Sequence, residues 1–127
     1  MKKSEPREIL KEIEKYIQHY VRSRFSGMYE SLNLSCLALS GKTCVNLLLN
    51  NPLDLRRVLE TRYSDKYSLL LVLGHFFLKP LLIKLDMLEA EDELKSLFLN
   101  NPDRFRDKLL EILGAPSKIT DVFKEYG

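Results

Sequence analysis

The sequence predicts an all-α fold, a compact bundle of about six or seven helices in a single domain spanning residues 1–127. Three observations carry that prediction. The 127 residues include 26 Leu against 3 Ala, with 5 Gly, 5 Pro and no Trp, a leucine excess that suits packed helices better than sheet. Apolar side chains recur at helical spacing through most of the chain. Asn-Pro, Gly and Ser-Asp phrases punctuate the sequence where helices start and stop. With 45% hydrophobic and 30% charged residues, the composition fits one folded domain rather than a disordered tail or a fibrous repeat. A chain this long buries roughly two-thirds of its unfolded surface, so the core needs no metal or disulfide to form.

The first helix is expected from Ser4, a candidate cap, to about Phe25, with Ile9, Leu10, Ile13, Tyr16, Ile17, Tyr20, Val21 and Phe25 on one side. Its other face is charged, and Ser26-Gly27 marks a turn. Met28 to Leu49 reads as one bent helix or two short ones, interrupted at Ser40-Gly41-Lys42. At Asn51-Pro52 the chain stops and restarts, because proline at the first helical position gives up no needed hydrogen bond; a helix from Leu53 to about Tyr63 follows. Ser64-Asp65 opens the central helix, apolar almost all round from Tyr67 to Leu85, which Pro80 is expected to bend. Helices from about Glu89 to Leu99, from Pro102 to Leu113 with Gly114 as the stop, and from Ser117 to Tyr126 complete the chain.

One phrase occurs twice. Residues 47–56, Leu-Leu-Leu-Asn-Asn-Pro-Leu-Asp-Leu-Arg, return as residues 97–106, Leu-Phe-Leu-Asn-Asn-Pro-Asp-Arg-Phe-Arg, and Leu59 is answered by Leu109. Two readings stand: an internal duplication of about residues 28–63 and 78–113, or chance reuse of a good capping phrase. The aligned leucines on both sides favour duplication, since capping alone does not require them. Asn51 and Asn101 are the expected helix caps.

Residues 73–126 resemble the small helical output-domain family of archaea, the type named after Nitrososphaera. The matching residues are Leu73-Gly74, Lys79-Pro80-Leu81-Leu82, Asn101-Pro102-Asp103-Arg104-Phe105, Leu109 and Ile112-Leu113-Gly114. The first half matches only at Asn51-Pro52, Leu55 and Leu59, Pro80 falls inside the first matching helix, and no glycine pair follows Gly114. The resemblance implies a regulatory or interaction role without catalysis.

Several short motifs invite a chemical reading. Ser40-Gly41-Lys42-Thr43 copies the end of a phosphate-binding loop, but the glycine that loop needs five positions before Gly41 is Cys36, and no strand precedes it; the sequence reads as a polar break between helices. Cys36 and Cys44 are eight residues apart, about 12 Å along a continuous helix, which forbids a disulfide unless the chain turns sharply at Gly41. They are expected to be buried free thiols. His19 falls on a charged face. His75 shares a helix edge with Lys79, beside Gly74, where another helix or a flat apolar ligand such as haem could approach, although no second ligand stands at a matching spacing. Neither histidine has a carboxylate close in sequence, and Glu89, Glu91, Asp92 and Glu93 suit a helix start, so no enzyme is expected, and no catalytic residue, metal site or cofactor.

Twenty basic and eighteen acidic side chains leave a net charge of +2, too small for nucleic acid to be the default partner. Arg56, Arg57, Arg104 and Arg106 follow the two Asn-Pro phrases and are the candidates for phosphate contact should nucleic acid bind; otherwise they balance nearby Asp and Glu side chains. Leu69 to Ile83 approaches membrane-spanning length, yet His75, Lys79 and Pro80 interrupt it, so it reads as a core helix with no membrane partner. The charged N-terminus and two unpaired cysteines predict a cytoplasmic protein. The leading reading is a non-enzymatic helical module that binds protein, most simply a second copy of itself; nucleic-acid binding through the arginines and apolar-ligand sensing at His75 are the alternatives.

Overall fold

The computed structural model describes residues 6–25 and 27–113. Within them lie seven α-helices and no strand. They are α1 (Pro6–Arg22), α2 (Met28–Ser40), α3 (Cys44–Asn50), α4 (Pro52–Arg62), α5 (Lys66–Leu85), α6 (Glu91–Asn100) and α7 (Pro102–Ile112). A short 3₁₀ turn, Leu88–Ala90, leads into α6. The expected Ser4 cap, the Gly114 stop and the helix from Ser117 to Tyr126 lie outside the described residues.

The stretch from Met28 to Asn50 is two helices, because Gly41 takes a left-handed conformation (φ 76°) and its N–H closes α2 on the Leu37 carbonyl at 2.8 Å. Thr43 then opens α3, its hydroxyl accepting from the Asn46 N–H at 3.2 Å. The two axes differ by 62°. This corner overturns the free-thiol expectation: Cys36 and Cys44 form a disulfide, with Cα atoms 5.3 Å apart. The 12 Å separation holds only for a continuous helix, and Gly41 removes the continuity. The cytoplasmic expectation therefore loses one of its two grounds, since structural disulfides belong mainly to oxidising compartments.

Helix α5 starts where Asp65 accepts from the Ser68 N–H at 3.0 Å and runs 20 residues. Pro80 has no N–H to give and its ring crowds the carbonyl four residues back. The helix accommodates it with a π-turn over Leu73–Leu78, in which the Lys79 N–H reaches the Gly74 carbonyl five residues back. Asp86, at φ 57°, ends the helix. α5 is long and apolar enough to cross a membrane, but half of its apolar window is buried inside the bundle. Leu73, Phe76, Phe77, Leu78, Leu81 and Leu82 are buried on it, facing Ile13, Ile17 and Val21 of α1 among others.

The repeated phrase builds two helical hairpins, α3–α4 and α6–α7, with Pro52 and Pro102 in the first turns of α4 and α7. The hairpins pack on each other, and Phe98 meets Phe105 edge-on at 5.1 Å. Each hairpin also lends the other an arginine. Arg56 donates through Nη1 to the Leu99 carbonyl at 2.7 Å, and Arg106 donates through Nε to the Leu49 carbonyl at 3.2 Å. Leu49 and Leu99 are equivalent positions of the repeated phrase, as are Arg56 and Arg106, so exchanging the copies exchanges the two bonds. Both carbonyls lie in the last turn of a helix, where the backbone has no donor of its own to offer.

Candidate interaction surface

Helix α2 is apolar on two opposite faces. Tyr29, Leu32 and Cys36 point inward and are buried; Leu34 (66% exposed) and Leu37 (40%) point outward, while Leu39 (59%) and Met28 (43%) are exposed at the two ends of the helix, on the side of Leu32. At 100° per residue, Leu34 and Leu37 lie within 60° of each other, and Ala38 falls beside them. The eleven residues Ser31–Gly41 carry no formal charge, in a chain where charged residues are 30% of the total. Glu30 marks one end of this stretch and Lys42 the other.

Polar contacts fix the orientation of the helix. Arg62 of α4 donates to the hydroxyls of Ser35 (2.8 Å) and Ser31 (3.2 Å). The Asn33 side-chain oxygen accepts from the Cys44 N–H at 2.9 Å, and Arg22 of α1 pairs with Glu30. That pairing, through a hydrogen bond from Arg22, holds the Glu30 carboxyl below its ordinary range. Beside Leu39, between α2 and α4, a cavity of about 320 Å³ is lined by Ser40, Asp54, Arg57, Val58 and Thr61.

Ser40-Gly41-Lys42-Thr43 has no free amide cradle. The Gly41 N–H is bonded to Leu37 O, the Lys42 N–H to Ser40 Oγ at 3.2 Å and the Cys44 N–H to Asn33, while the Thr43 hydroxyl donates to the Glu14 carboxylate. The phrase is the α2–α3 corner.

The arginines do not form a free basic patch. Arg56 and Arg106 are spent on carbonyls of the opposite hairpin, Arg57 pairs with Asp54 at 3.3 Å, and Arg104 stands exposed on the other hairpin. The sequence assigns Arg106 to a neighbouring carboxylate; the structure gives it a helix-end carbonyl instead. Asn101 accepts from the Arg104 N–H at 3.3 Å, as a cap should. Asn51 occupies the same backbone position, but its side chain makes no cap bond and donates instead to Asp54 at 2.9 Å.

Around His75 the space offered by Gly74 is already filled. A Cβ built on Gly74 would lie 2.7 Å from Glu91 Oε2 and 2.8 Å from Lys95 Cε, so the close approach is made by side-chain ends of α6, which occupy that space. Lys79 is committed to Glu91 at 2.8 Å, and Lys95 adds a second ion pair at 3.0 Å. Burial pushes the Glu91 carboxyl up, and the hydrogen bonds from Lys79 and Lys95 outweigh it, leaving the group below its ordinary range. His75 is half-buried with its ring 6.4 Å from Phe25. Among the described residues no cluster of three His, Cys, Asp or Glu side chains could hold a metal.

No protein-family model, curated protein or solved structure matches this chain. Sequence reading missed the outer face of α2 because Leu34 and Leu37 look like core residues by type; the missing charge from Ser31 to Gly41 was the available signal.

Proposed function

We propose that this chain is a small non-enzymatic helical interaction module that associates with itself. The observation that carries the reading is the outward, charge-free apolar face of α2. Leaving large apolar side chains in water forgoes about 1.5–3 kcal/mol for each one not buried, and a cluster of them on one helix face marks a surface that a protein partner covers. The resemblance of residues 73–126 to the archaeal output-domain family supports the same non-catalytic role. Light scattering coupled to size-exclusion chromatography tests it: the mass should rise with concentration from 14.9 kDa toward twice that value. A mass that stays at the monomer value up to about 1 mM protein, the millimolar limit of weak association, overturns the proposal.

A further inference from the structure

Resting on that self-association reading, we infer that the contact is an antiparallel pairing of α2 with α2 of a second copy about a two-fold axis, Leu34 of one chain packing against Leu37 of the other. Ile83 precedes Lys84 and Leu88 stands between Asp86 and Glu89, each set among charges that would have to be desolvated, and Tyr67 and Leu71, one turn apart on α5, follow directly on Asp65 and Lys66. Among the described residues, α2 combines the exposed Leu34 and Leu37 with a charge-free stretch that has an acid at one end and a base at the other.

The ends of α2 select the occupant. Glu30, Leu34, Leu37 and Gly41 recur at spacings of four, three and four, the pattern of a helix-pairing seam, with Ser31 and Ala38 beside it small enough for close approach. The seam begins with an acid and is followed at once by a base, Lys42. An antiparallel second copy that sets Leu34 against Leu37 brings Glu30 of each chain next to Lys42 of the other, twice by symmetry. It also sets the two helix dipoles head to tail. A parallel copy would place Glu30 on Glu30 and Lys42 on Lys42. Glu30 keeps 40% of its side chain exposed while paired with Arg22, and Lys42 is exposed, so both can meet a partner. Leu34 and Leu37, with Ala38 beside them, make a small interface, and the dimer is accordingly weak, with a dissociation constant on the order of 100 μM or above.

The test uses the full chain. Sedimentation equilibrium is run on the wild type, on Leu34→Lys/Leu37→Lys, on the milder Leu34→Gln/Leu37→Gln and on Lys42→Glu, with circular dichroism confirming that each is folded. A zero-length carbodiimide cross-link is then mapped by mass spectrometry. Within one chain Glu30 is about 15 Å along α2 from Ser40, the last helical residue before Lys42, so a Glu30–Lys42 link in the dimer-sized species joins two copies. The expected result is a wild-type dimer carrying that link, lost in both Leu34/Leu37 variants and weakened about fivefold by Lys42→Glu. A dimer that keeps its strength in the Leu34/Leu37 variants and lacks the link overturns the α2 pairing while leaving self-association standing. A wild type that is monomeric throughout overturns both.

Discussion

Replacing Arg106 with Met asks what holds the two hairpins in register. Methionine keeps an apolar stem of similar length, so the change removes mainly the guanidinium. Leu49, whose carbonyl receives the Arg106 Nε–H at 3.2 Å, is 1% exposed, and water has little access to replace the bond. A hydrogen bond from a charged donor contributes about 1.5–3 kcal/mol, and a buried acceptor left alone costs about as much as the bond it lost. Arg106→Met should therefore lose about 2–3 kcal/mol. Arg56→Met, at the equivalent position, should lose less despite its shorter 2.7 Å bond. Leu99 is only half-buried, so water can approach its carbonyl. Arg56 Nε is itself buried without a partner, its nearest carboxylate, Glu60, being 3.6 Å away, so removing it also removes a desolvation cost. Urea unfolding followed by circular dichroism reads both values, provided the slope with urea stays constant. A loss below about 0.5 kcal/mol for Arg106→Met, within the range of ordinary surface substitutions, would refute the claim that the arginine exchange holds the hairpins.

Reducing the Cys36–Cys44 disulfide, or replacing both cysteines with Ser, should lower stability by about 2–3 kcal/mol, the chain-entropy value for an eight-residue loop, measured by urea unfolding with and without reductant. Asn101→Ala should cost about 1 kcal/mol and Asn51→Ala less than about 0.5 kcal/mol, because only Asn101 caps with its side chain; equal losses would reject the distinction. Glu91 is held below the ordinary carboxylate range in the folded state, so its contribution is fully present above that range and is lost as pH falls through the folded value. Thermal melts should therefore show Glu91→Gln less stable than wild type at pH 7, with the gap closing in acid. Tyr29 is pushed up to about 12 by burial and by Glu14 and Glu30. Stability should thus fall as pH rises from about 10, the ordinary tyrosine value, toward 12, and Tyr29→Phe should flatten that fall.

The helix order was legible because punctuation lay in the sequence. Pro52 and Pro102 open their helices, Gly41 breaks the second region, and Asp65 starts the fifth helix, each for a local reason that acts without tertiary help. What Pro80 does was not legible. A proline inside a helix can produce a kink, a break or a wider turn upstream, and the choice of a π-turn over Leu73–Leu78 depends on what packs around it. The disulfide hinged on one local event, the left-handed turn at Gly41, and spacing alone does not tell whether a glycine continues a helix or ends it. The arginine exchange was beyond reach for a different reason. Arg56 and Leu99 are 43 residues apart and Arg106 and Leu49 are 57 apart, so sequence offered only charge balance with near neighbours or phosphate contact.

Ties to neighbouring elements also fix the orientation of α2. A helix with one apolar face is oriented by burying that face, but Leu32 and Leu34 differ by 200° around the axis and both are leucines. Burial alone barely distinguishes the two ways of placing this helix. The distinction comes from polar and covalent ties that tolerate only one rotation. The disulfide reaches Cys44 only from the inner face, Asn33 meets the Cys44 N–H only at the corner, and Arg62 bridges Ser31 and Ser35 only from the α4 side. Turning α2 to bury Leu34 would break all of them and would expose Tyr29, Leu32 and Cys36 in return. The apolar outer face is therefore a consequence of how the helix is tied, and its exposure persists in the isolated chain whether or not a partner is present to cover it.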